Sequence, residues 1–167
     1  MQKEIIETSK GVAGITRPFK NIIEKLQISN EDTILYIGLP GVCTPFIELL
    51  SYAIRTLNLK QVYVPVIDLK SAMEVITVNN VGIQFGDSVA VQNAKVIVVL
   101  GGLAMPISPV SSDDVNPLVK SVLAQGGTVI GICFMNMFDK AGWTSVIPFD
   151  YIIDATIDPV HVERFVR

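Results

Sequence analysis

Residues 96–100 read Val-Ile-Val-Val-Leu, with no polar side chain among them. A strand wetted on one face alternates apolar and polar residues. An unbroken apolar run is the mark of a strand covered on both faces, as in a parallel sheet between two layers of helices. Residues 33–38, 61–67 and 128–133 share this texture, and segments with helical spacing separate them. Alternation of this kind predicts an α/β fold of the Rossmann-like, three-layer type.

Residues 1–15 are mixed in character and predict an arm or loosely attached helix. Thr16-Arg17-Pro18 reads as a cap and first turn, with Phe19, Ile22, Ile23 and Leu26 at helical spacing to about Gln27. The first strand spans 33–38. Thr44, followed by Pro45, reads as the N-cap of a helix to about Leu57, striped by Ile47, Leu50, Ile54 and Leu57. The second strand is 61–67. Residues 70–76 read as a short helix, with 74–78 equally compatible with extended chain, and 81–85 as a short third strand. The fourth is 95–101. Asp113 or Asp114 caps the next helix, which Gly126-Gly127 stops before the fifth strand at 128–133. One or two helical turns at 134–140, a sixth strand at 151–157 and a final helix at 159–166 complete the chain. The expected sheet is mostly parallel, with five to six strands in the order 3-2-1-4-5 and the sixth beside the fifth, in one domain spanning 1–167.

Half of the residues are hydrophobic, 50%, and the mean hydropathy is +0.49. No apolar stretch reaches the ~18 residues of a membrane span. A doubly covered sheet accounts for the value, with subunit burial in a homo-oligomer, a dimer, supplying the rest. The charged start, MQKEIIETSK, has no apolar region of a secretion signal. Two cysteines, Cys43 and Cys133, are too few for a disulfide scaffold and fit reduced thiols in a cytoplasm. Lysine and arginine are scattered singly in a chain of net charge −3, so no nucleic-acid footprint is expected. No membrane partner is expected either.

In the predicted order the chain reverses direction between the first and fourth strands. Ligands of open α/β sheets bind outside the carboxyl ends of the strands at such a point. The first strand ends in Gly38-Leu39-Pro40-Gly41, and the fourth in Gly101-Gly102 with Met105 just beyond. These loops become the two lips of one crevice. Glycine lets backbone approach a ligand closely, and the helix start at Cys43-Thr44 offers free N–H groups to an anion. The same glycines also suit plain strand-to-helix turns. The motif is neither G-x-G-x-x-G nor a P-loop. Asp68 ends the second strand, where an acid takes ribose hydroxyls in nucleotide-binding folds, or else it caps the helix at Lys70. Asp87 either faces a base or forms an Asx-turn.

Cys43 at a helix start is the one candidate nucleophile, since that position lowers a thiol pKa. The plainer reading is a small buried hydrophobe, as for Cys133. The single histidine, His161, has no sequence link to Cys43, and no spacing of Cys and His suggests a metal site. Glu48 is expected to face solvent. The apolar loop 103–110 is a lid, a subunit contact or a segment packed on its own domain, and Trp143 is expected to cover a sheet edge.

In layout the chain resembles class I methyltransferases that use S-adenosylmethionine. ILYIGLPG is similar to their glycine-rich motif, VIDLKSAM to their acidic loop, FGDS to their third-strand Gly-Asp, and LVKSVLAQGGTVIGI to the end of their cofactor domain. That resemblance implies S-adenosylmethionine along 38–41, with Asp68 on the ribose and Asp87 near the base. Tyr36-Ile37 stands where that family has an acid. Through GLPGVCTPF, VLGGLAMP and GICFMN the chain also resembles a family of uncharacterised archaeal proteins from methanogens, which implies a cytoplasmic archaeal setting. Three functional readings follow. The first is binding of a small anionic or nucleotide-like ligand in the crevice. The others are methyl transfer from S-adenosylmethionine and a non-enzymatic oligomeric scaffold.

Overall fold

A computed structural model describes residues 3–165. Among them, seven strands form one sheet: β1 (Thr33–Gly38), β2 (Lys60–Pro65), β3 (Met73–Val78), β4 (Gly82–Ser88), β5 (Ala94–Leu100), β6 (Leu123–Phe134) and β7 (Tyr151–Ala155). The helices are α1 (Ala13–Lys25), α2 (Thr44–Ala53), α3 (Ser112–Val122) and the single turn α4 (Met137–Lys140). The order across the sheet is β4-β3-β2-β1-β5-β6-β7. Strands β2, β1, β5, β6 and β7 run parallel, and β3 is antiparallel to both its neighbours.

The apolar runs produce this sheet because each feeds two cores. Ile34 and Tyr36 of β1, with Val96, Val98 and Leu100 of β5, pack under α1 and α2 through Phe19, Ile23, Ile47 and Leu50. Their alternates Leu35, Ile37, Ile97 and Val99 pack under α3 through Val115 and Val119, and with Phe138 of α4. Full burial of an Ile or Leu side chain stabilises by ~1.5–3 kcal/mol, so these two strands anchor the molecule from both sides. Two tyrosine hydroxyls drawn inside find partners, whereas Ser51 Oγ and Asn116 Oδ1 are buried without one. Tyr36 Oη donates to Gln61 Oε1 at 2.8 Å, and Tyr63 Oη donates to the Gly38 carbonyl at 3.2 Å. No helix among the described residues is long and apolar enough to cross a membrane.

Several expectations are corrected. The sheet has seven strands, not five or six. The segment read as a helix at 70–76 is a 3-10 turn at Leu69–Ser71 followed by β3. That strand pairs with β2, so the strand expected third, now β4, lies one place further out and is reached through a hairpin. Helix α1 starts at Ala13, a turn before Thr16, and holds Pro18 inside, where the ring removes only the bond to the Gly14 carbonyl. Cys43, not Thr44, is the N-cap of α2. Ser111 caps α3, its hydroxyl accepting from Asp114 N–H while the Asp114 carboxylate accepts from Ser111 N–H at 2.8 Å, a capping box. Residues 159–165 form no helix, and Val166 lies outside the described residues. Trp143 is buried in the α3 core, 5.7 Å from the Phe138 ring.

Candidate functional site

Strands β1 and β5 are parallel neighbours, with Leu35 opposite Ile97 and Ile37 opposite Val99. From β1 the chain moves outward through β2, β3 and β4, then returns to β5 on the other side of β1. The turning point therefore lies between the loops that follow β1 and β5. Leu100 is the last residue of β5, and a 3-10 turn covers Gly101–Ala104.

The glycines of both loops serve close packing around two thiols. A Cβ on Gly102 would stand 2.5 Å from Cys43 Sγ, and one on Gly38 would stand 2.6 Å from Cys43 Cβ. A Cβ on Gly101 would meet Cys133 Cβ at 2.5 Å. Gly41 meets nothing within 4 Å and has φ +76°, a left-handed turn that glycine adopts without strain. The Gly38 carbonyl is held by Tyr63 Oη and by Val66 N–H at 2.8 Å. Cys43 thus fills the space between the lips at their base.

Beyond Cys43 a hollow of about 80 Å³ remains. Its walls come from three loops: Val42, Cys43 and Phe46 after β1, Gly101, Gly102 and Met105 after β5, and Phe134 and Met137 after β6. Leu100 and Ile132 form the floor. The Phe46 and Phe134 rings stand 4.8 Å apart and tilted by 49°. Among the described residues no charged side chain lines it. Ligand pockets usually measure ~300–1,000 Å³, so this one has room for a few atoms and not for a whole nucleotide.

Burial pushes the Cys43 thiol above its ordinary pKa, outweighing the opposing N–H groups of Leu39 and Gly102. Burial thus works against the thiolate that the helix start would favour and agrees with the reading of Cys43 as a small buried hydrophobe. Cys133 is pushed up to about 12, first by burial and then by its contact with the Asp154 carboxylate at 3.1 Å. Asp68 is exposed and caps the 3-10 turn, accepting from Lys70 N–H at 3.0 Å and from Ser71 Oγ at 2.6 Å. Those bonds, Ser71's first, hold its pKa below the usual value. Asp87 is exposed near the end of β4, the outer strand on the far side of β2 and β3. Neither acid lines the hollow. His161 is exposed beyond β7, and Glu48 faces solvent. Among the described residues no three His, Cys, Asp or Glu side chains converge as a metal site.

The structure thus gathers Gly38, Leu39, Cys43, Gly101, Gly102 and Met105 around one point and leaves Thr44 on the first turn of α2. It adds Val42, Phe46, Phe134 and Met137, which sequence reasoning missed. The signal for two of them was present: FMNM follows the fifth strand, on the same edge of the sheet. Three of the seven non-glycine residues with positive φ among the described residues lie on this edge. Val66, just after β2, has φ +57°, an outlier for a β-branched residue, and Met135 and Asn136, just after β6, have φ +59° and +57°. Strain of this kind concentrates at functional sites.

The profile of a family described as "Uncharacterized protein conserved in archaea (DUF2124)" matches residues 10–158. An uncharacterized protein of Methanothermobacter thermautotrophicus is 37% identical over 147 residues, covering 85% of this chain and 94% of that protein. Uncharacterized protein MJ1183 of Methanocaldococcus jannaschii is 34% identical over 158 residues, covering 94% and 92%. A crystal structure of a protein of unknown function from M. thermautotrophicus superposes with a TM-score of 0.85 at 31% identity, covering 98% of this chain and all of that one.

Proposed function

The chain belongs to the archaeal family DUF2124, and we propose that it is a small-molecule binding protein whose ligand seats an apolar group in the hollow between the loops after β1, β5 and β6. The polar or anionic part of the ligand then lies outside, along Gly41 and Thr44 at the start of α2, where unbonded N–H groups favour it. The observation that supports this reading is the hollow itself, at the turning point of the sheet and walled by three separate loops. Its lining selects for a methyl, thioether or small hydrocarbon group. A nucleotide-like ligand would enter only by such an end. The methyl of S-adenosylmethionine sits on a cationic sulfonium, which this uncharged apolar lining does not favour, and the acid expected on its ribose, Asp68, is committed to Ser71 and Lys70. One observation favours the rival reading of a scaffold without a ligand: Cys43 Sγ fills the gap that the glycines leave.

Amide chemical-shift titration separates these readings. The probes are methyl ethyl sulfide, adenosylmethionine, adenosylhomocysteine, NAD and ATP. The binding reading predicts that methyl ethyl sulfide saturably shifts the amides of Val42, Gly102 and Met137, and that Met105→Trp abolishes the shifts. A response to adenosylhomocysteine at the same amides, with none to NAD or ATP, selects methyl transfer. Silence of these three amides toward every probe sinks the binding reading and leaves the scaffold.

A further inference from the structure

We infer that the C-terminal arm, residues 156–165, lies across the rim of the hollow in a second copy of the chain, so that two copies cover each other's site. The surface argument stands by itself, and only its consequence for ligand access rests on the binding reading above. The arm leaves β7 at Ala155, whose carbonyl accepts from Met135 N–H at 2.9 Å, so it starts beside the rim. It carries Val160, Val162 and Phe165 at 74%, 99% and 88% exposure. Apolar side chains this exposed on one segment call for a partner. The loops that wall the hollow carry exposed apolar side chains as well, Val42 at 40%, Met135 at 48% and Ile107 at 75%. Methionine suits a surface that accepts apolar side chains of varied shape.

Length and symmetry select the occupant. Ten extended residues span ~33 Å, while the distance from β7 across β6 and β5 to β1 is three strand spacings, ~14 Å. The arm is therefore long enough to cross a rim. In the single chain it does not do so, because Val162 and Phe165 stand clear of their own domain. Arm and rim sit at one corner of one molecule, so a two-fold pairing buries both on both copies. A foreign partner docked on the rim would leave the arm bare. Strand β7 also has a strand partner on one side only, and an open sheet edge at this corner gains cover from the same association.

Sedimentation equilibrium of the full chain tests this, beside a chain ending at Thr156 and the full-length Val162→Asp/Phe165→Asp variant. The inference predicts a dimer for the full chain and monomers with unchanged far-ultraviolet circular dichroism for both variants. Mixing Met135→Cys chains with Val162→Cys chains is expected to give an intermolecular disulfide, since Cys43 and Cys133 are buried. A monomeric full chain, a truncated chain that stays dimeric, or a Met135→Cys/Val162→Cys chain that closes only on itself overturns the inference. A monomeric full chain that still binds methyl ethyl sulfide overturns the arm exchange alone. An arm-linked dimer that does not bind it overturns the site reading alone.

Discussion

Cys43 decides what each glycine of the crevice can tolerate, and the two contacts differ in kind. The contact at Gly102 is with the sulfur, and the contact at Gly38 is with Cβ. Gly102→Ala is expected to destabilise by ~1–3 kcal/mol through overpacking. Cys43→Ala removes the sulfur, so the double variant recovers most of that loss. Gly38→Ala carries a similar cost that Cys43→Ala does not relieve, because alanine keeps the Cβ. Urea midpoints of the six chains, the unsubstituted one included, complete both cycles. Equal rescue at the two glycines would contradict this packing. The thiol itself is buried and its pKa raised, which is the behaviour of a packing residue rather than a nucleophile.

At the scale of elements, both central strands β1 and β5 are anchored on two cores, while β3 and β4 hang from the β2 edge. Strand β3 pairs with β2 only at Met73 and Glu74, and a register shift interrupts its pairing with β4. Amide exchange followed by mass spectrometry is therefore expected to be slowest in β1, β5 and β6, and faster in β3 and β4. Equal protection across all seven strands would contradict this. The same contrast explains what the sequence made legible. Continuous apolar runs announce strands covered on both faces, so β1, β2, β5 and β6 could be read directly, and with them the two glycine loops. Strand β3 buries Val75 alone and turns Glu74, Ile76 and Thr77 outward, a pattern too sparse to separate from a helical turn. The final helix failed for another reason: a segment of eight residues is marginal by propensity, and residues 159–165 have no core to pack on. The walls of the hollow depend on which way Phe46, Phe134 and Met137 point across three loops, and linear spacing carries no record of that.

Across the whole molecule, four buried acids stay protonated in the fold. Burial raises the pKa of Cys43 and Cys133 from an ordinary 9.0, and of Tyr36 and Tyr63 from an ordinary 10.0. The unfolded chain releases these protons first, so stability is complete below about pH 9 and falls as pH rises beyond it. Melting temperature against pH is expected to show that alkaline decline, and the Cys43→Ala/Cys133→Ala variant is expected to delay its onset toward pH 10. An onset unmoved by removing both thiols would contradict the assignment. The central claim concerns the hollow, and xenon tests it without presupposing a ligand. Apolar hollows take up xenon, and the side chains that line this space of about 80 Å³ are apolar. A crystal pressurised with xenon is predicted to hold one atom between Gly102, Phe46 and Met137. A crystal with no xenon there, the space closed by Met105 or Phe134, would contradict the account.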